Sequence, residues 1–313
     1  MTWTLLWMLL WRHLAGIVLG ALAWAVRRRG LPALEAGRAV TAAAAGGAVV
    51  LLAAYSVLGA MPLWVEAPRE VWSAVFGARY ALPLVLGLAA LIALGAVRPH
   101  RAPFAEATLA PRTWRAFLEV RWLSAVLLTL VAVLLTLVLV IVLTLAAGTA
   151  SRPDEDGEYT RYVVDVGSGT LGTGIYGWHH SALPLVLLVP LGAATWWALS
   201  RIARPPLAEA EPADTANRRL RSANVARVAL GALLLHLGTI LTSLANTSRL
   251  SGTFSGGDRG WFSISTPFAA LSGALDVLSA VAACAGCALW VFTALTAVPA
   301  PSPSRPRRSA VPS

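Results

Sequence analysis

Apolar residues dominate seven long stretches of the chain, and polar residues gather between them. An α-helix crosses the hydrocarbon layer of a membrane with about 17 to 25 mostly apolar residues, since each residue adds about 1.5 Å. The pattern therefore predicts an all-α, polytopic integral membrane protein with seven transmembrane helices in a single domain, residues 1–297. The predicted spans lie near residues 4–26, 39–62, 80–97, 123–147, 182–200, 228–246 and 267–295.

Two of the polar segments between the spans have the alternating pattern of short β-hairpins. After the fourth span, TRYVVDV and TGIYGW flank a Gly-rich turn, and SGTFSGGDRGWFSIST after the sixth span is similar. In both segments a Trp precedes a Pro by six residues: Trp178 before Pro184, and Trp261 before Pro267. Trp is common at membrane interfaces, and Pro fits the first turn of a helix. We therefore expect two small extracytoplasmic β-hairpins, each followed by a helix that a Pro opens.

Composition supports the membrane assignment. The 313 residues are 57% hydrophobic and 13% charged, which is far from the balance of a soluble protein. All 25 basic residues are Arg, a bias that indicates a GC-rich, bacterial source. The net charge of +10 is spread over short loops, and no domain is large enough to form a nucleic-acid surface.

The distribution of Arg predicts the orientation of the chain. The loops after spans one, three, five and seven contain 18 of the 25 Arg residues, and those after spans two, four and six contain six. Because Arg accumulates in short cytoplasmic loops, we expect the N-terminus outside the plasma membrane and the C-terminus in the cytoplasm. Residues 298–313 are basic and rich in Pro and Ser, which predicts a disordered cytoplasmic tail.

A short pattern recurs in three of the Arg-rich loops. RRRGLPALEA (27–36), RPHRAPFAEA (98–107) and RIARPPLAEA (201–210) share Arg, Pro, Glu and Ala at the same four positions. Each copy follows a span that runs from outside to inside. The chain is therefore interpreted as three two-helix repeats plus a seventh, unpaired helix.

The repeated loops allow two interpretations. In the first, Arg sets the orientation, Pro restarts a helix, and Glu occupies a first turn, where the helix dipole favours it. In the second, the loops form a docking surface for a cytoplasmic ATPase or regulatory protein. The basic stretches after the second and third copies also predict helices on the inner leaflet, attracted by anionic lipid. The docking candidates are Arg27, Glu35, Arg98, Glu106, Arg201 and Glu209.

Three ionisable residues fall within predicted spans at similar depth: Arg12, His236 and Asp276. Charges inside a membrane are costly, which makes these residues candidates for a functional site. An ion pair between Arg12 and Asp276 near His236 would join the first and last helices, or would form a proton or ion relay. Alternatively, Arg12 extends to the outer interface and His236 bonds to a neighbouring helix.

Other candidate chemistry is weak. His179 and His180 are adjacent, and neighbouring side chains point in different directions, so a metal site is a minor interpretation. Cys284 and Cys287 lie in an apolar CAGC with no second Cys or His pair, as expected of packing residues. No nucleotide loop or catalytic arrangement is evident, and no cofactor is predicted.

The repeat and the intramembrane charges favour a transport-associated component. It is expected to be a permease-like subunit that docks a cytoplasmic partner, or a small carrier that uses the Arg12, His236 and Asp276 set. The alternative is a non-transporting membrane scaffold, sensor or regulatory protein. That alternative is favoured by the absence of Gly- or Pro-broken helix pairs with converging polar residues.

Overall fold

Long helices and two small sheets make up the protein, for which a computed structural model describes residues 3–32, 34, 36–59, 65–66, 68–97, 120–165, 170–203, 211–255 and 260–298. Residues Ala42–Gly46 form a π-helical segment inside the second helix. The helices are α1 (Trp3–Arg27), α2 (Arg38–Leu58), α3 (Arg69–Ala96), α4 (Val120–Ala150), α5 (Trp178–Ala203), α6 (Glu211–Ser248) and α7 (Ser272–Leu295).

Six helices in the described part of the chain are long and apolar enough to cross a membrane, namely α2 to α7. The protein is therefore a mostly helical, multi-pass membrane protein, as the apolar pattern predicts. Helix α1 contains 25 residues but is not among the six, so seven spans stays a prediction.

Two helices are longer than their apolar stretches. Helix α3 begins at Arg69, eleven residues before the predicted span, and Arg79 therefore lies inside a candidate membrane-spanning helix. Helix α6 begins at Glu211, so the basic stretch expected to lie on the membrane surface continues directly into the span. No Gly or Pro interrupts residues 213–230, and a helix propagates through such a sequence.

The helix expected to open at Pro184 begins earlier. Helix α5 starts at Trp178, because the carbonyl oxygen of Gly177 accepts hydrogen bonds from the N–H groups of His180 and Ser181, each at 3.1 Å. Pro184 therefore lies inside α5. Pro267 precedes a 3₁₀ turn, Ala269–Leu271, that leads into α7.

The two predicted hairpins are present. Strands β2 (Tyr159–Asp165) and β3 (Thr170–Gly174) pair antiparallel, with a short additional strand, β1 (Arg152–Pro153), beside β2. Strands β4 (Ser251–Ser255) and β5 (Trp261–Ser265) form the second antiparallel pair.

Both sheets lie at one end of the bundle, which we call the sheet end. The hydroxyl of Thr247 donates to the carbonyl oxygen of Gly174 at 3.0 Å, and the Tyr162 ring packs edge-on against Phe268 with centroids 5.8 Å apart. Helices α1, α3 and α5 finish at the opposite end, where α6 begins. We call this the arginine end.

Helix α6 is the central element of the bundle. It packs against α3, α4, α5 and α7, and 72% of its apolar window is buried, compared with 22–39% for the other five spans. The outer helices expose long apolar side chains such as Leu135 and Val189, as expected of lipid-facing surfaces. The most extensive interfaces join α6 to α7 and α1 to α7, across the boundaries of the proposed two-helix units. The repeat therefore stays a prediction.

Glycines allow the close approach of α1, α6 and α7. Gly16 and Gly20, four residues apart on α1, face α7, where a Cβ on Gly16 would lie 2.5 Å from the Cβ of Cys287. Gly231 on α6 and Gly286 on α7 face each other, and a Cβ on Gly286 would lie 2.9 Å from the Gly231 carbonyl oxygen. Small residues at such positions let helix backbones approach closely inside a membrane.

Candidate functional site

A polar cluster lies between α3, α4, α5 and α6 near the sheet end of the bundle, and all of its members except the partly exposed His180 are buried. We define it as Thr144, Tyr80, Tyr176, His180 and His236. Tyr80 and His236 are each 1% exposed, and Tyr176 is fully buried. Polar side chains at such depth require partners, because an unpaired buried polar group costs about 1 to 3 kcal/mol.

His236 has one satisfied and one unsatisfied ring nitrogen. Its Nδ1 lies 2.8 Å from the carbonyl oxygen of Tyr80. A carbonyl oxygen can only accept, so Nδ1 carries the hydrogen in the neutral ring and Nε2 holds a lone pair. Nε2 is buried and has no hydrogen-bond partner among the described residues. Nδ1 thus anchors the ring, and Nε2 can accept a proton or a hydrogen bond.

Two hydroxyl groups of the same cluster also lack hydrogen-bond partners within the described residues, those of Tyr176 and Thr144. The Tyr176 ring lies 4.6 Å from the Tyr80 ring and 6.1 Å from the His236 ring, between centroids. Burial raises the pKa of Tyr176 above its ordinary value, and the nearby Thr144 hydroxyl partly opposes that rise. Tyr176 is therefore a neutral phenol that can both donate and accept.

Ring contacts connect the cluster to the protein surface. The Tyr80 and His180 rings stack with centroids 5.2 Å apart, and His180 meets the exposed His179 ring at 4.9 Å. Nδ1 of His179 lies 3.5 Å from a carboxylate oxygen of Glu158, which is also exposed. Titratable side chains thus follow one another from Glu158 at the surface to buried His236.

Arg79 lies beside Tyr80, one member of this series of contacts. Its guanidinium lies 4.5 Å from the centre of the Tyr80 ring and donates to the Tyr80 hydroxyl. The guanidinium charge therefore lies directly beside the Tyr80 ring and hydroxyl.

The other two predicted intramembrane residues do not join His236. Arg12 donates to the hydroxyl of Thr242 at 3.0 Å, and its backbone carbonyl accepts from Cys284 at 3.2 Å. Asp276 forms its ion pair with Arg249, which follows the end of α6, rather than with Arg12. Arg249 lies at the sheet end, where its charge remains partly solvated, and this makes it the less costly partner.

The weak metal candidates lack a ligand set. The rings of His179 and His180 lie at 82° to each other, and His180 faces Tyr80. No group of three or more His, Cys, Asp or Glu residues converges within the part of the chain that the structure describes. Cys284 and Cys287 are free, and Cys287 packs beside Gly16.

The proposed docking residues are described only in part. Arg27 ends α1, and Arg201 lies near the end of α5 with its guanidinium 5.6 Å from the Trp197 ring centre. The remaining four candidates, Glu35, Arg98, Glu106 and Glu209, lie outside the described residues. The docking surface stays a prediction.

Sequence reasoning identified His236 but missed the residues around it. Tyr80, Tyr176 and Thr144 are uncharged, so a search for intramembrane charges passes over them. Tyr80 lies at the start of the predicted third span and Tyr176 in a predicted hairpin. The scarcity of Tyr was the available signal, since the chain has only five.

Comparisons with known protein families, with curated proteins and with solved structures give no match.

Proposed function

We propose that the protein is a transport-associated membrane component, acting as a small carrier in which the polar cluster around His236 takes part in proton movement. The observation that carries this proposal is the buried Nε2 of His236, which has no hydrogen-bond partner among the described residues and belongs to a ring 6.1 Å from the Tyr176 ring, between centroids.

The surroundings of His236 support this role. The residue lies twelve positions before the end of α6, which is roughly 18 Å along the helix from the sheet end. An imidazole changes its charge near neutral pH in water, and its environment decides which form is stable. The contact series from Glu158 through His179, His180 and the two tyrosines offers intermediate groups between the surface and His236.

The proposal includes an orientation and a partner. The sheet end and the N-terminus face outward from a bacterial plasma membrane, and the arginine end and the tail face the cytoplasm, because Arg is concentrated there. At this face a permease-like subunit would meet a cytoplasmic ATPase or regulatory protein through the repeated loops, including Arg27 and Arg201.

Proton flux through purified protein tests the carrier role. The full chain is reconstituted in liposomes that contain a pH-sensitive dye, and a pH gradient is applied with valinomycin and K⁺ to remove the opposing potential. We expect flux above that of protein-free liposomes. His236→Asn should abolish it, because the Asn amide nitrogen takes the place of Nδ1 and can donate to the Tyr80 carbonyl but cannot carry a proton.

Thr239→Val is the matched control. Thr239 lies one turn from His236 on α6, and its hydroxyl donates to the His236 carbonyl oxygen at 2.7 Å without belonging to the cluster. Its flux should equal that of the wild-type protein. Flux that is absent from the wild-type protein, or unchanged in His236→Asn, would contradict the carrier role.

One observation favours the second candidate, a membrane sensor or regulatory protein. Helices α3 and α5 run through Pro83, Pro184 and Pro190 without a break, and no discontinuous helix pair occurs among the described spans. Many carriers use such broken pairs at the bilayer midplane. Purification from detergent with mass spectrometry of bound proteins separates the two: an ATPase favours transport, whereas a kinase or regulator favours the second candidate.

A further inference from the structure

Three buried side chains of the polar cluster each carry a polar atom that has no hydrogen-bond partner among the described residues. These atoms are Nε2 of His236 and the hydroxyl oxygens of Tyr176 and Thr144. All three residues are at most 1% exposed, so bulk water does not solvate them. Because buried polar groups in folded proteins are nearly always paired, the three atoms together indicate a bound partner.

The three side chains face one packed region from three parts of the fold. Tyr176, Ala147 and Ile240 belong to the same buried apolar cluster. Thr144 lies three residues before Ala147, on the same face of α4. His236 lies four residues before Ile240, on the same face of α6. The Tyr176 and His236 rings meet edge-on, with centroids 6.1 Å apart.

The Thr144 hydroxyl is used differently from those of other threonines in the helices. A threonine inside a helix commonly donates to the carbonyl oxygen four residues earlier. Four threonines do so at 2.7 to 2.9 Å, namely Thr136, Thr149, Thr195 and Thr242. Thr144 forms no such bond. Its hydroxyl therefore stays available to a partner outside α4.

The chemistry of the three atoms specifies the partner. Nε2 of His236 can only accept, because Nδ1 carries the hydrogen, whereas each hydroxyl can donate and accept. A water molecule meets all of these demands, since a buried water typically forms about three hydrogen bonds to otherwise unpaired groups. The polar cluster contains no carboxylate, and the Arg79 charge lies beside Tyr80, which favours a neutral ligand over a cation.

We propose that one ordered water molecule binds between these atoms, donating to Nε2 of His236 and bonding to the hydroxyls of Tyr176 and Thr144. As a step in proton movement, the water rests on the proposed function, because it would connect Tyr176 to His236 through hydrogen bonds. As a binding site, it is measured without a proton gradient. A failure of the water site and a failure of proton flux are therefore distinguishable.

Solid-state NMR of the full chain in lipid bilayers tests the site. Histidine is labelled with ¹⁵N, and the transfer of magnetisation from water protons to the ring nitrogens is followed over time. The chain has only five histidines, so the loss of a signal in His236→Asn identifies the resonances of His236. We expect transfer to Nε2 of buried His236 to be as fast as transfer to the exposed His179 ring.

Removal of either hydroxyl should weaken the water site. Thr144→Val and Tyr176→Phe nearly preserve the shape of each side chain, and each should slow the transfer to His236. Thr144→Ser keeps the hydroxyl and should retain the fast transfer. Thermal unfolding in detergent shows that each variant is folded, and Thr144→Val tests the site alone if Tyr176→Phe is not.

Thr136→Val is the matched control. Thr136 is also buried on α4, about two turns before Thr144, and its hydroxyl donates to the carbonyl oxygen of Ala132 at 2.7 Å. Its loss should leave the transfer to His236 unchanged. Slow transfer in the wild-type protein, or an equal effect of Thr136→Val and Thr144→Val, would overturn the proposal. A hydrogen bond at Nε2 without transfer from water would also overturn it, because Tyr176 would then donate directly.

Discussion

The indole ring of Trp290 lies over Gly231, and its Nε1–H donates to the carbonyl oxygen of Val228 at 3.0 Å. Trp290 is fully buried, and its ring fills the space on α6 that is available because Gly231 has no side chain. A Cβ on residue 231 would lie 2.5 Å from two atoms of the ring. The α6–α7 interface thus depends on glycine at this position.

Gly231→Ala should destabilise the protein by about 2 kcal/mol, because overpacking a filled interface forces side chains or backbone to move. Thermal unfolding in detergent measures the loss. Gly192→Ala is the control, since nothing lies within 4 Å of a Cβ there and Ala favours the helix. If both variants unfold at the wild-type temperature, Trp290 does not pack on Gly231 as described.

A double-mutant cycle tests the partner of Asp276. Asp276→Asn and Arg249→Gln should show a coupling of about 0.5 to 1 kcal/mol, the range for a pair that is partly exposed. Asp276→Asn and Arg12→Gln should be additive, since Arg12 donates to Thr242 instead. Unfolding of the single and double variants gives both values. A coupling with Arg12 that exceeds the coupling with Arg249 would contradict the observed pairing.

Asp154 should make the first sheet sensitive to acid. Its carboxylate accepts from the Thr160 hydroxyl at 2.6 Å and from the N–H groups of Glu158 and Asp156, at 2.9 and 3.0 Å. These bonds, above all the one from Thr160, lower the pKa of Asp154 from its ordinary value of 3.8. A lowered pKa gives stability that is present above the ordinary value and is lost as the pH falls through the lowered one.

Hydrogen exchange of β2 as a function of pH measures this effect. Protection should be constant near neutral pH and fall in acid, and Thr160→Val should move the loss to higher pH. Asp156→Asn is the control, because Asp156 contributes only its backbone N–H to the turn. An identical pH profile for Thr160→Val and the wild-type protein would show that the hydroxyl does not hold Asp154.

A reporter fused after Ser313 tests the orientation. The excess of Arg at the arginine end predicts that the fusion is cytoplasmic, with fluorescence from green fluorescent protein and no activity from alkaline phosphatase. A second fusion between residues 165 and 170 should give the opposite result. An extracytoplasmic Ser313 would contradict both the orientation predicted from the distribution of Arg and the count of seven spans.

Much of the fold follows from local patterns in the chain. The fourth apolar stretch predicts α4 to within a few residues, since 25 consecutive apolar or small residues leave a membrane helix as the one stable form. Both hairpins follow from alternating residues around Gly-rich turns. The helix ends were less predictable, because α3 and α6 continue through polar turns where only packing partners decide the boundary.

The candidate site was only partly predictable for a related reason. A buried histidine is conspicuous in an apolar stretch, but its neighbours depend on how four helices pack together. Tyr80 and Tyr176 are 96 positions apart, and no local pattern places their rings together. The partner of Asp276 depended in the same way on where α6 ends.

The burial of α6 determines how the bilayer can act on this protein. A span in contact with lipid responds to membrane thickness by tilting or bending. Helix α6 is shielded by its neighbours, and at 38 residues it is far longer than any bilayer requires. Thinning or thickening of the membrane therefore displaces α2, α4 and α5 first. It changes the polar cluster only where these helices move relative to α6, which keeps its position.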